Sequence, residues 1–154
     1  MKHFDKVIGY EDIKFELERM IDIMNRPEQY SKLGVEVPKG IMLHGTPGVG
    51  KTLLANELIK ASGRKAFILR KDKPDGEFVG IIKKTFEDAI AAAPSIVFLD
   101  DMDKFSSTDE RRSDAEEYVA IQSCMDDVKG KGVFVIATAN KLFKFPKSLL
   151  RRGR

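Results

Sequence analysis

Residues 45–52 read GTPGVGKT, and this segment constrains the chain more than any other. It matches the pattern G-x-x-x-x-G-K-[ST] and lies between an apolar run, GIMLH, and a segment with helical patterning. Glycines allow backbone N–H groups to close around phosphate oxygens, and a helix that starts there adds a favourable dipole. The sequence therefore predicts a phosphate-binding loop between a strand and a helix. The alternative is a chance glycine-rich turn.

This loop predicts ATP or ADP with Mg²⁺ as the bound cofactors. The Lys51 ammonium is expected to neutralise charge on the β- and γ-phosphates, and the Thr52 hydroxyl to bind Mg²⁺. The full set expected to contact nucleotide in this segment is Thr46, Pro47, Gly48, Val49, Gly50, Lys51, Thr52 and Leu53.

Two acids end a later apolar run, SIVFL. Asp100 is expected to hold the magnesium shell, and Asp101 to orient or deprotonate the attacking water. Acids are also common at the solvent-facing ends of strands, so this pair alone would not indicate a metal site. Its occurrence together with the phosphate loop favours the functional interpretation.

Helical and extended patterns alternate along the chain, which predicts an α/β fold. Helices are expected at residues 11–24, 27–33, 51–61, 78–93 and 109–127, and strands at residues 40–44, 66–70, 95–100 and 133–138. The first helix is expected to bury one face, formed by Ile13, Leu17, Met20, Ile21 and Met24. Near-continuous apolar strands separated by helices predict a parallel sheet covered on both faces.

Composition narrows the class of protein. The 154 residues are 42% hydrophobic and 33% charged, which is typical of a soluble globular domain. No apolar run approaches the roughly 20 residues of a spanning helix, so no membrane segment is expected. The single cysteine, Cys124, is expected to pack inside a helix and favours a reducing compartment such as the cytoplasm. A net charge of +3, with acids and bases well interspersed, is too mild to argue for a nucleic-acid partner, and none is expected.

Five segments in order resemble the AAA ATPase family, and most closely the ATPase module of FtsH-type proteases. They are FDKVIGYEDIK, KLGVEVPKGIMLHGTPGVGKTLLA, EFVG, TFEDAIAAAPSIVFLDDMDKF and VFVIATANKLFKFPKSLLRRGR. The resemblance implies that residues 1–154 form the large nucleotide-binding subdomain of a P-loop NTPase. It also implies that the family's fifth strand and helical lid are absent, with the missing strand belonging beside the P-loop strand.

The resemblance assigns further roles around the nucleotide. Val7, Ile8 and Gly9 would line the adenine site, or would simply form a strand-like entry to the first helix. Asn140 would sense the γ-phosphate, although an asparagine turn or cap is the local alternative. Arg151 and Arg154 would be arginine fingers that reach a neighbouring subunit, or a solvated basic end.

Phe78, Val79 and Gly80 resemble the pore loop with which hexamers of this family grip a polypeptide. An exposed aromatic would suit a sequence-tolerant grip, whereas a core or staple residue is the alternative for Phe78. No H-E-x-x-H zinc motif occurs, and His44 is expected to be structural.

The family usually has glutamate where this chain has Asp101, whose side chain is one methylene shorter and would hold its carboxylate farther from the attacking water. Nucleotide binding is therefore predicted more firmly than ATP hydrolysis. The favoured function is an ATPase that remodels, unfolds or translocates polypeptides as part of an FtsH-like protease or related unfoldase, hexameric in a longer parent and cytoplasmic or at the cytoplasmic face of a membrane. The alternative is a nucleotide-binding regulatory module with weak or no hydrolysis. A P-loop kinase or nucleic-acid motor fits less well, because no acceptor site or basic stripe is evident.

Overall fold

The structure, a computed structural model, describes residue 4 and residues 9–36, 38–46, 48–71, 77–105 and 113–140. Across these residues the elements follow the predicted alternation of helix and strand. They are α1 (Glu11–Asn25), α2 (Pro27–Lys32), β1 (Gly40–His44), α3 (Lys51–Ser62), β2 (Lys65–Leu69), α4 (Phe78–Ala91), β3 (Ser95–Leu99), a 3₁₀ helix (Met102–Phe105), α5 (Ser113–Asp127) and β4 (Val133–Ala139). No helix in this part of the chain has the length and apolar character needed to cross a bilayer.

Two predicted boundaries move for identifiable reasons. Helix α4 ends at Ala91, before the predicted end at residue 93, because Pro94 disfavours a helical conformation in the residue that precedes it. Strand β2 ends at Leu69, and Arg70 leaves the strand to direct its side chain at Asp100.

The four strands form one parallel sheet in the order β1-β4-β3-β2, which confirms the predicted fold class. In such a sheet the carboxyl ends of all strands lie along one edge, where ligands of open α/β sheets bind. Two backbone hydrogen bonds tie these ends together: the Gly45 N–H donates to the Ala139 carbonyl at 3.2 Å, and the Asp100 N–H donates to the Leu69 carbonyl at 3.0 Å.

Helices cover both faces of the sheet, as predicted. Because successive strand side chains point to opposite faces, Ile96 and Phe98 pack with α1 and α3, whereas Val97 and Leu99 pack with α4 and α5. Strands β3 and β4 are buried along their whole length. The sheet is therefore a rigid base for the loops at its carboxyl edge.

Helix α1 differs from the predicted buried face in one respect. Leu17, Ile21 and Met24 are buried as expected, but Ile13 is 41% exposed. Ile23 is buried at 3% instead, so the buried face is shifted toward the carboxyl end of the helix.

Candidate functional site

All four strand ends contribute to one pocket of about 470 Å³. Its lining residues are Gly48, Gly50, Lys51, Thr52, Leu53, Arg70, Asp100, Asp101, Lys104, Thr138, Ala139 and Asn140. The glycine loop follows β1, Arg70 follows β2, the two acids follow β3, and Asn140 follows β4. The fold thus brings the predicted phosphate loop, acid pair and sensor residue to a single cavity.

The glycine loop has the backbone that its sequence requires. Gly48 and Gly50 have φ values of 82° and 92°, in the left-handed region that side chains other than glycine rarely adopt. Helix α3 starts at Lys51, and its first backbone hydrogen bond runs from the Leu54 N–H to the Gly50 carbonyl. This geometry turns the loop directly into the amino end of a helix.

Lys51 folds back over the loop. Its ammonium donates to the carbonyl oxygens of Gly45 and Thr46, both at 2.8 Å. These two contacts hold the ammonium at the loop, and Lys51 lines the pocket. An ammonium has three donors, so one remains beyond these two contacts.

Asp100 is the most enclosed acid of the pocket, with 6% of its surface exposed. Its Oδ1 accepts from the Thr138 hydroxyl at 3.0 Å and from the Thr52 hydroxyl at 3.4 Å. Its Oδ2 accepts from the Arg70 guanidinium, from Nε at 2.8 Å and from Nη2 at 2.5 Å. Burying a carboxylate at this depth is costly unless such partners satisfy its oxygens.

Asp101 has an unusual backbone. Its φ is 54°, in the left-handed region, where asparagine and aspartate are the commonest residues after glycine. The Asp101 N–H donates to the Thr138 hydroxyl oxygen at 2.8 Å, and Oδ2 lies 3.6 Å from the Lys104 ammonium. Aspartate therefore suits the backbone conformation at this position.

Asn140 lies beside the two acids, at the end of β4. Its N–H donates to Oδ2 of Asp103, in the 3₁₀ helix that follows the acid pair. This contact fixes the backbone of Asn140 relative to Asp101, and Asn140 lines the pocket.

Sequence reasoning missed four pocket residues, namely Thr138, Ala139, Arg70 and Lys104. Thr138 is hidden within an apolar strand, so the only available signal was a hydroxyl near the carboxyl end of β4. Arg70 and Lys104 follow the ends of β2 and β3, and their positions at the same sheet edge could have marked them.

The other residues predicted to contact the nucleotide lie partly in or near the pocket and partly outside it. Thr46 offers its carbonyl to Lys51, Val49 lies beside Gly45, and Leu53 lines the pocket with 41% of its surface exposed. Gly9 is exposed just before α1 and is not among the pocket residues. Val7, Ile8, Pro47, Arg151 and Arg154 lie outside the described residues.

Phe78 corrects an expectation. It lies in the first turn of α4 and is 3% exposed, with its ring 5.0 Å from that of Phe105 in an edge-to-face contact. The Lys71 ammonium lies 5.5 Å from the Phe78 ring centre. Val79 is half-buried in the same turn, and Gly80 also belongs to the helix. The exposed aromatic that a polypeptide grip requires is therefore not Phe78, which packs in the core.

Two residues given structural roles are placed as follows. Cys124 is buried in α5, as expected, and burial raises the pKa of its thiol, which keeps it protonated and unreactive. His44 ends β1 and its side chain is exposed.

We predict that Thr138→Val destabilises the protein by about 1–2 kcal/mol, because valine has the same shape but removes the acceptor of the Asp101 N–H and one of the donors to Asp100. Urea unfolding would measure the change. Thr85→Val is the matched control, since Thr85 is partly exposed and its hydroxyl donates to the Ile81 carbonyl within α4. Equal effects of the two substitutions would contradict a special role for Thr138.

Comparison with known proteins gives a consistent result. The model of the ATPase family associated with various cellular activities (AAA) matches residues 41–154. Over 98% of its length the chain is 35% identical to the ATP-dependent zinc metalloprotease FtsH of Leptotrichia buccalis, of which it covers 21%. It is 36% identical to the ATP-dependent zinc metalloprotease YME1 homolog of Caenorhabditis elegans, again over 98% of this chain and 22% of that protein. The chain thus spans about a fifth of the length of these relatives.

Proposed function

The chain belongs to the AAA family of ATPases, as its motifs predicted, and on this premise we propose that the pocket at the sheet edge binds ATP or ADP with Mg²⁺ and hydrolyses ATP. One observation carries the proposal: Asp100, 48 positions after Thr52 in the sequence, lines the same cavity as Lys51 and Thr52, beside a glycine loop at a helix amino end. That set combines phosphate-binding N–H groups, a cation and a metal-binding pair.

The side chains take complementary roles in this proposal. The loop N–H groups and the Lys51 ammonium bind the phosphate oxygens of the nucleotide. Asp101, one-third exposed and next to the pocket, orients the attacking water and accepts its proton. Asn140, at the end of the neighbouring strand, contacts the γ-phosphate.

The donor set fits Mg²⁺. Thr52 and Asp100 offer a hydroxyl and a carboxylate whose oxygens lie 3.4 Å apart, and Mg²⁺ is usually held by one or two carboxylates together with substrate phosphates. Within the described ranges, no group of three or more His, Cys, Asp or Glu residues converges as a separate metal cage. When bound, the ion would neutralise charge on the β- and γ-phosphates.

We further propose that residues 1–154 are the large nucleotide-binding subdomain of a longer FtsH-like protein that remodels, unfolds or translocates polypeptides. Two relatives named as ATP-dependent zinc metalloproteases support this proposal, because the chain is 35% and 36% identical to them over 98% of its length. In that parent, a hexamer would place Arg151 and Arg154 against the neighbouring subunit's nucleotide. Location at the cytoplasmic face of a membrane belongs to the same proposal.

A second candidate function is nucleotide binding with weak or no hydrolysis. Two observations favour it: Asp101 is paired with Lys104, and Asp100 is paired with Arg70, so both acids are engaged by cations. A carboxylate oxygen that already accepts from a cation is less available to a water molecule or a metal ion.

We predict that Asp101→Asn lowers phosphate release from Mg-ATP by about 10²-fold, because it removes the proposed base. Asparagine tolerates the left-handed backbone at this position, so Mg-ATP affinity should change less than about threefold. Phosphate release should be followed over a range of protein concentrations, since a neighbouring chain would contribute arginines.

Asp88→Asn is the control, because Asp88 lies on α4, outside the pocket, and pairs with the exposed Lys84. Release by wild type that equals a protein-free blank at every concentration, with Mg-ATP binding intact, would favour the second candidate. Equal release by wild type and Asp101→Asn would remove Asp101 from the mechanism.

A further inference from the structure

Arg70 stands out among the pocket residues because its guanidinium holds the acid that the proposed magnesium site needs. Its Nε and Nη2 donate to Oδ2 of Asp100 at 2.8 and 2.5 Å. Both donors reach the same carboxylate oxygen, which leaves Oδ1 to the hydroxyls of Thr138 and Thr52. The Arg70 side chain is 49% exposed, whereas that of Asp100 is 8% exposed. One edge of the guanidinium therefore binds the acid, and the rest faces the cavity.

The backbone fixes this placement. Arg70 follows Leu69, the last residue of β2, and the Leu69 carbonyl accepts from the Asp100 N–H at 3.0 Å. Strands β2 and β3 pair in register up to Leu69 and Leu99, so Arg70 and Asp100 leave the sheet side by side. The neighbouring Lys71 is anchored in the protein interior by Glu117 at 2.6 Å. The carboxyl end of β2 thus places Arg70 in the pocket.

Arg70 makes the summed charge of the side chains that line the cavity positive. The lining side chains include three cations, Lys51, Arg70 and Lys104, and two acids, Asp100 and Asp101. The pocket therefore carries a net positive charge even without a metal ion. Arginine has five N–H donors in a planar fork, so it can bind a phosphate group while it keeps one contact with a carboxylate.

We propose that Arg70 is a polyphosphate-binding residue of this pocket, anchored by Asp100, and that it enables the pocket to bind a nucleoside triphosphate without a divalent cation. This inference rests on the proposed nucleotide site. A metal-free triphosphate is strongly anionic, and the guanidinium supplies the charge compensation that Mg²⁺ otherwise provides. When Mg²⁺ accompanies the nucleotide, the ion and Arg70 compete for Asp100, so Arg70 contributes less.

The test is calorimetric titration of ATP into wild type, Arg70→Gln and Arg70→Lys, once with excess EDTA and once with excess Mg²⁺. We expect Arg70→Gln to weaken metal-free ATP binding at least about tenfold, because a hydrogen bond to a charged group is lost. With Mg²⁺ the loss should be less than about threefold. Arg70→Lys keeps the charge and should retain most of the metal-free affinity.

Lys65→Gln serves as the control. Lys65 is exposed and begins β2, so it lies at the amino end of the same strand, whereas the pocket lies at the carboxyl end. Melting temperatures of all variants would verify folding. If wild type binds Mg-ATP but not metal-free ATP, or if Arg70→Gln changes both affinities by the same factor, the inference is overturned and the proposed function stands. If folded wild type binds ATP in neither condition, both are overturned.

Discussion

Lys71→Met is expected to lower the free energy of unfolding by about 3–5 kcal/mol, the largest loss of stability that we predict for a single substitution. The Lys71 ammonium lies 2.6 Å from Oε1 of Glu117, and the two side chains are only 5% and 3% exposed. Removing the ammonium leaves the Glu117 carboxylate buried without its ion-pair partner. Guanidinium chloride unfolding would measure the change against wild type.

The double variant Lys71→Met/Glu117→Leu is the informative comparison. Apolar replacements of a buried ion pair are often neutral or stabilising, since neither charge then has to be taken out of water. We expect the double variant to recover most of the stability that the single substitution removes. A double variant that is as unstable as the sum of both single variants would contradict this account of the pair.

Gly40→Ala is expected to destabilise the protein by about 2–3 kcal/mol, the second largest effect. Gly40 opens β1 opposite Val135, and a Cβ atom added there would lie 2.5 Å from the Val135 carbonyl oxygen. That oxygen belongs to the backbone of a strand buried along its length, so β1 itself must shift. Because β1 leads directly into the glycine loop, nucleotide affinity should fall together with stability.

Gly80→Ala is the matched control for Gly40. Gly80 lies in the first turn of α4, and a Cβ atom there would meet nothing within 4 Å. Alanine in a helix is favoured over glycine, so this substitution should stabilise the protein by about 0.5–1 kcal/mol. Thermal melts would show opposite signs for the two substitutions, and a destabilisation of similar size at both positions would overturn the steric argument.

The sheet and its helices could be predicted because local patterns and the global fold agree. Apolar runs such as SIVFL and VFVIATA are long enough and apolar enough to require burial on both faces, and they form β3 and β4. The glycine loop could be predicted because its backbone needs glycine at particular positions, and Gly48 and Gly50 have positive φ values.

What could not be predicted depends on contacts between distant segments. The hydroxyl of Thr138 joins Asp100 to the backbone of Asp101, but a threonine inside an apolar strand carries no sequence signal of that role. The Lys71–Glu117 pair joins positions 46 residues apart, and a charged residue in a helix predicts a solvated face. Phe78 was expected to be exposed through its resemblance to a pore loop, yet it packs on Phe105.

The central claim is that the glycine loop forms a nucleotide site, and calorimetric titration of Mg-ATP and Mg-ADP into the purified chain tests it most directly. Lys51→Ala removes the ammonium at the loop, and Lys60→Ala removes an exposed one from the same helix. We predict one nucleotide per chain for wild type, at least about 30-fold weaker binding for Lys51→Ala, and a change below about threefold for Lys60→Ala. Absence of binding by folded wild type, or equal binding by wild type and Lys51→Ala, would contradict the claim.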